Sequence, residues 1–320
     1  MSVLDQDETR RRISEKLMYE LGPIYELLDD PTVTDIMLNP DEKIWVKRLG
    51  QASVFVGKMA AAQTMDIIRT VAATMDLVMT RNKPILECEF PLDGSRFLAV
   101  IPPVTTGPQF TIRKKAIMVF TLADYVEQGI MTPNQRLAIE NAVRDRKNIM
   151  IFGSTGSGKT TLVNAVIRFI AEASPDHRLL ILEDTRELQC VAENYVSLKC
   201  TEDVDMEELG RITLRENPDR ILVGEVRGRA AHALLKFWNT GHPGGAGTAH
   251  ANSAEDGLTR MEQMVQEAIQ IPMPELIASA VDLIVFIEED PEGRRVKEII
   301  HVDGHDGQKY NTRLIGEENV

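Results

Sequence analysis

Residues 148–161 read NIMIFGSTGSGKTT. Four consecutive apolar residues, 149–152, form the run expected of a strand buried on both faces, and they lead straight into a turn with glycine at 153, 156 and 158. Gly153, Gly158, Lys159 and Thr160 satisfy the spacing G-x-x-x-x-G-K-[ST], with Thr161 behind them. Each residue type has a physical job. Gly153, Gly156 and Gly158 can take positive φ without a Cβ penalty, so the N–H groups along Ser154, Thr155, Gly156 and Ser157 can converge on one anion. Beyond the turn, Leu162, Val163, Val166, Ile167 and Ile170 recur at helical spacing until Ser174-Pro175 stops them. The unpaired N–H groups of that helix start add positive potential for a phosphate chain. In such a cradle Lys159 reaches the β- and γ-phosphates and the Thr160 hydroxyl ligates Mg²⁺. A glycine turn without a ligand is the alternative, and the strand before and helix after it favour the phosphate loop.

Downstream, apolar strands alternate with helices: LLILED (179–184), ILVGE (221–225), GAGTAHA (245–251) and VDLIVFIE (281–288). Their lack of polar alternation predicts a doubly wound α/β sheet covered on both faces. Upstream, 9–28 reads as one helix ended by Pro31, 35–56 as a strand, a turn and a hairpin, 64–78 as a helix, and 89–115 as two strands around a Pro/Gly-rich loop. The expected organisation is a smaller α+β N-terminal domain (1–116), a linker (117–132) and a P-loop α/β domain (133–320). Thr132-Pro133 is placed to start the helix before the phosphate-binding strand. After Asp303 the chain reads as a strand end and a frayed terminus.

The balance of charge narrows the function. Residues 1–130 carry 15 basic against 18 acidic residues and 131–320 carry 21 against 31, so direct nucleic-acid binding through phosphate neutralisation is disfavoured. No apolar run reaches membrane-spanning length, and MSVLDQDETRRR lacks a signal-peptide core, which predicts a cytoplasmic protein. The helix over 9–28 has a mixed polar face, so packing on its own domain is favoured over lying on a membrane. Cys88, Cys190 and Cys200 show no C-x-x-C spacing, which argues against a zinc site or a disulfide framework.

Hydrolysis needs a group that orients and deprotonates water. Glu183-Asp184 and Glu225 close two of the strands, and in an open α/β sheet ligands sit beyond the carboxyl ends of the strands. Glu183-Asp184 can equally be a turn or helix cap. In GHPGGAGTAHANSAEDG, residues 241–257, His242 and His250 flank a glycine run, and either can be a structural histidine or a phosphate contact.

The ordered blocks GSTGSGKTT, LEDTRELQ, RENPDRILVGEVRG and GHPGGAGTAHANS resemble those of the secretion and traffic ATPase superfamily, the hexameric motors of type IV secretion, type II secretion and type IV pili. The TrbB-type conjugative-transfer branch is the nearest in pattern. The resemblance implies a RecA-like P-loop domain, ATP and Mg²⁺ as ligands, and a hexameric ring partnered by inner-membrane components of the apparatus. It implies Glu225 as the catalytic Walker B acid, Glu183 as the Asp-box acid and His250 as the γ-phosphate sensor. Arg96 and Arg113 match the N-terminal-domain arginines that fold over the nucleotide, with Arg215, Arg220 and Arg227 as candidates from a neighbouring subunit or for local ion pairs. Gly224 stands where many P-loop enzymes have a metal-holding aspartate. Open alternatives are a pilus or type II secretion motor, an ATP-gated scaffold with negligible turnover, and a motor that grips DNA itself.

Overall fold

The computed structural model describes residues 3–75, 77–115, 119–201 and 203–315, with side chains from 11 onward. The chain divides into two compact units, Met1–Ile117 and Met118–Val320.

In the first unit, helices α1 (Val3–Leu21) and α2 (Pro23–Asp29) precede strands β1 (Val33–Leu38), β2 (Lys43–Arg48) and β3 (Val54–Lys58). Helix α3 (Ala61–Thr74) follows, then β4 (Ile85–Glu89), β5 (Arg96–Val100) and β6 (Gln109–Arg113). The single helix expected over 9–28 is two helices, because Gly22 takes φ 52° and Pro23 starts a new first turn. The helix expected over 64–78 lies three to four residues earlier, which leaves Leu77 and Val78 exposed beyond its end. The six strands form one antiparallel sheet in the order β3-β2-β1-β6-β5-β4. Strand β4, which the alternation-based reading passed over, pairs with β5 from Ile85↔Val100 to Glu89↔Arg96. Leu17, Ile24, Ile36, Val46, Ile68 and Phe97 belong to the core beneath it.

The second unit begins with α4 (Leu122–Glu127) and α5 (Pro133–Arg144), each opened by a threonine capping box, at Thr121 and Thr132. Leu122, Tyr125 and Met131, expected in a linker, are buried in this unit's core; residues 116–118, where the change of domain was read, lie outside the described residues. Next come β7 (Ile149–Phe152), α6 (Lys159–Ala173), β8 (Leu179–Glu183), β9 (Tyr195–Lys199), α7 (Met206–Thr213), β10 (Arg220–Val223), α8 (Ala230–Trp238) and β11 (Ala246–Ala249). The chain ends with α9 (Ala254–Gln266), α10 (Pro274–Ala280), β12 (Leu283–Asp290), β13 (Gly293–His305) and β14 (Tyr310–Leu314). Their sheet runs β14-β13-β12-β7-β11-β10-β8-β9, parallel from β12 through β9 and antiparallel at β13 and β14.

Period-two geometry divides this sheet between two cores. Ile149 and Ile151 face one cluster with Val163, Ile167 and Ile139, while Met150 and Phe152 face the other with Leu234, Leu258 and Val265. Both faces are therefore apolar, as the unbroken strand runs predicted. The strand end expected after Asp303 is the end of β13, and up to residue 315 the chain continues into a hairpin, with β14 spanning Tyr310–Leu314. Residues 316–320 lie outside the described residues.

Candidate nucleotide site

Strand order gathers residues that are far apart in sequence. β11 lies between β7 and β10, and β8 lies on the far side of β10, all parallel. Their carboxyl ends thus carry, side by side, the glycine loop after Phe152, His250 after Ala249, Glu225 just past Val223, and Glu183 as the last residue of β8.

Within the loop, Gly156 and Gly158 adopt φ of 83° and 96°. Gly153 is required for a different reason than expected. Its φ is not positive, but a Cβ there would collide with the Ile287 carbonyl oxygen and stand 2.6 Å from Ser157 Oγ. The backbone is pressed against β12, so only hydrogen fits. Among the described residues, Ser157 Oγ is buried without a hydrogen-bond partner and no side chain caps the start of α6. An orphaned buried hydroxyl, an uncapped helix start and two left-handed glycines fit a phosphate chain.

Lys159 is buried at the mouth of this loop. Its Nζ donates to the Gly153 and Ser154 carbonyl oxygens at 3.0 and 2.8 Å and lies 3.1 Å from His250 Nδ1. With Nδ1 facing an ammonium, the proton of the neutral ring belongs on Nε2, which stands 2.9 Å from Glu225 Oε1 in an approach not aligned as a hydrogen bond. Glu225 Oε2 accepts from Arg227 Nη2 at 2.5 Å. Lys159, His250, Glu225 and Arg227 therefore form one chain of polar contacts. Burial alone would raise the Glu225 pKa, but the Arg227 hydrogen bond and charge, with His250 and Lys159 behind, hold the carboxyl below its ordinary value.

Glu183 is 1% exposed, and its Oε1 accepts from the backbone N–H groups of Glu187 and Leu188 at 2.8 and 2.7 Å. It shapes the loop that brings Glu187 to Thr160, whose Oγ1 donates to Glu187 Oε2 at 3.3 Å. Glu187 was not singled out from the sequence, because it lies in an irregular loop where no periodicity marks it. Gly224 also finds its reason here: a Cβ on it would lie 3.0 Å from Glu183 Cγ and 3.1 Å from its Oε1. The space of an aspartate at this position is taken by the glutamate of the neighbouring strand.

Other candidates separate clearly. In the first unit Arg96 and Arg113 are paired in register on β5 and β6, flanked by Glu89 on β4 and Asp35 on β1. Two guanidiniums opposite each other repel, and the flanking carboxylates in the same row offset that repulsion. Arg220, weighed for a role in a neighbouring subunit, is only 1% exposed. It donates to the Gly244 and Val143 carbonyl oxygens, His177 Nδ1 and Ser174 Oγ. Burial, then the charge of Arg146, pushes its pKa down to about 10; it holds together the amino edge of the sheet and cannot reach outward. His242 precedes β11 and so lies at that same edge, away from the loop. Arg215 is exposed.

A glycine loop at the carboxyl edge of a covered parallel sheet, with lysine, histidine and acids converging on it, defines an α/β P-loop protein. The chain belongs to the family described as Type II/IV secretion system protein, whose model matches residues 18–300. It is 48% identical to the conjugal transfer protein TrbB of Rhizobium radiobacter over 97% of this chain and 96% of that one. It is 29% identical to the type IV secretion system protein VirB11 of Bartonella henselae, over 79% and 82% of the two chains. The solved pilus retraction motor PilT with bound ADP matches at 18% identity and a TM-score of 0.62, over 92% of this chain and 83% of that one; this likeness speaks for the fold. The fold is thus RecA-like, preceded by a smaller α+β domain, within the secretion ATPase superfamily. Among the described residues no helix is long and apolar enough to cross a membrane.

Proposed function

We propose that this protein is a Mg²⁺-dependent ATPase that works as a hexameric ring and powers a type IV secretion or conjugative DNA-transfer apparatus. The observation that carries the reading is the chain from Lys159 through His250 to Glu225 beside the glycine loop. It joins a phosphate-binding cation to a carboxylate that can take a proton from water. The names of the TrbB and VirB11 relatives support the conjugation and secretion setting.

In this reading the backbone of residues 153–158 and the start of α6 bind the triphosphate, and Lys159 turns from its own loop carbonyls to the β- and γ-phosphates. Mg²⁺, where bound, would be held by Thr160 Oγ1 with Glu187 and Glu183 close behind, and would neutralise developing phosphate charge. Glu225 orients the attacking water and accepts its proton. His250 moves with Lys159 and so registers the γ-phosphate. Arg96 and Arg113, paired in register on the first domain, are the cations proposed to stabilise developing phosphate charge. The motor acts at the cytoplasmic face of the inner membrane through the apparatus's membrane components, and the acidic charge argues against its gripping DNA directly.

Steady-state phosphate release by the wild type, Glu225→Gln and Lys159→Ala tests the activity. Both variants should lose at least about a hundredfold in kcat; a wild type no faster than Glu225→Gln would leave a scaffold instead of a motor. Mass photometry with and without Mg·ATP tests the ring, and a monomer under every condition refutes it.

A further inference from the structure

Neither oxygen of Glu225 is open to water: Oε1 is buried beside His250 Nε2, and Oε2 is covered by Arg227. Arg227 bonds its Oε2 at 2.5 Å, and the arginine side chain is 56% exposed against 25% for the glutamate, so the guanidinium lies on the solvent side of the carboxylate. Between them the Val226 N–H donates to the Thr248 carbonyl at 2.8 Å and its side chain is buried, which fixes the backbone and leaves only the side chains to move. Arg227 also borders a cavity of about 310 Å³ lined by Asp184, Cys200, Asp205, Glu207 and Arg229. Three carboxylates there offer the guanidinium a second seat. Asp184 and Glu187 already act on its charge alongside Glu225.

We propose that Arg227 is a latch on Glu225: paired, it caps the carboxylate, and when it swings into the acid-lined cavity it frees Glu225 to accept the proton of the attacking water. Arg227 is thus a positioning residue, acting through Glu225. The inference rests on the reading of Glu225 as the base. The charged or titratable groups facing Glu225 are Arg227 from its own loop, His250 after β11 and Lys159 at the start of α6, so removing Arg227 takes away one cation of that set.

The test is phosphate release from Mg·ATP by the full-length protein, measured across pH for the wild type, Arg227→Gln, Arg227→Lys, Glu225→Gln and the double variant. Arg227→Gln should raise kcat about two- to fivefold, the scale of a half-exposed ion pair. It should also move the acidic limb of the kcat profile up by about one pH unit, the shift expected on loss of a neighbouring cation. Arg227→Lys should return the limb toward the wild-type position. In the Glu225→Gln background the arginine substitution should change nothing. A lowered kcat, an unmoved acidic limb, or an effect of Arg227→Gln that persists without Glu225 overturns the latch. A Glu225→Gln variant as active as the wild type overturns instead the reading of Glu225 on which the latch rests.

Discussion

Asn148, the first residue of the quoted stretch, offers a test of how the P-loop sheet is held at its other end. Its side chain is 3% exposed and makes three hydrogen bonds: Nδ2 donates to the Ala280 carbonyl at 2.8 Å, and Oδ1 accepts from the Gly244 and Gly245 N–H groups at 2.8 and 2.9 Å. One amide thereby ties the approach to β7 to the segments leading into β11 and β12. Asn148→Ala leaves two buried donors and one buried acceptor without partners. Each such group costs about 1–3 kcal/mol, less where water enters, so a loss of about 3–5 kcal/mol is expected. Against a domain stability of about 5–15 kcal/mol this is a large fraction. The sequence has two tryptophans, and Trp238, buried in this unit with Nε1 bonded to the Ile221 carbonyl, reports on it alone in a Trp45→Phe background. Urea unfolding followed by Trp238 fluorescence should show a much lower midpoint at an unchanged slope. A loss below about 1 kcal/mol would refute the claim that these three bonds hold the amino edge of the sheet.

Gly153→Ala forces a methyl against the Ile287 carbonyl, so it should weaken ATP analogue binding by more than about tenfold, measured by fluorescence titration, with a lower thermal midpoint. His177 has its pKa lowered by burial first and then by Arg220 and Arg146, so the unfolded chain takes up the proton at higher pH than the folded one. Stability should therefore fall as pH drops below about 6.5 toward the folded pKa and level off beneath it, and His177→Gln should flatten that slope in thermal melts across pH. The Cys200 thiol is pushed up to about 12 by burial and then by its hydrogen bond to Asp184, and burial raises Cys190 as well. Both should alkylate at pH 8 far more slowly than a free thiol, as read by mass spectrometry; rapid labelling of the native protein would contradict this.

Much of the site was legible in the sequence because its parts are local. The glycine loop, its strand and its helix are contiguous, and unbroken apolar runs marked the parallel strands as buried on both faces. The long strand β13 escaped notice because the register with β12 shifts beside Phe286 and Ile287. Val296 and Ile299 then face one core while Ile300 and Val302 face the other, so no simple alternation survives. The sequence leaves Arg220 open between acting on a neighbouring subunit and serving its own domain, because it shows charge but not burial; the packed sheet edge supplies the four acceptors that hold it inside.

The sequence by itself determined that a glycine loop joins a buried strand to a helix, that its sheet is covered on both faces, and which acids and histidines end the strands. Those features follow from short-range pattern and the steric freedom of glycine. Only the tertiary structure decided that β11 lies between β7 and β10, which sets His250 between Lys159 and Glu225. It alone seated Glu183 in the space beside Gly224 and laid Arg227 across Glu225. Strand order and side-chain contact arise from long-range packing, which no local run of residues encodes.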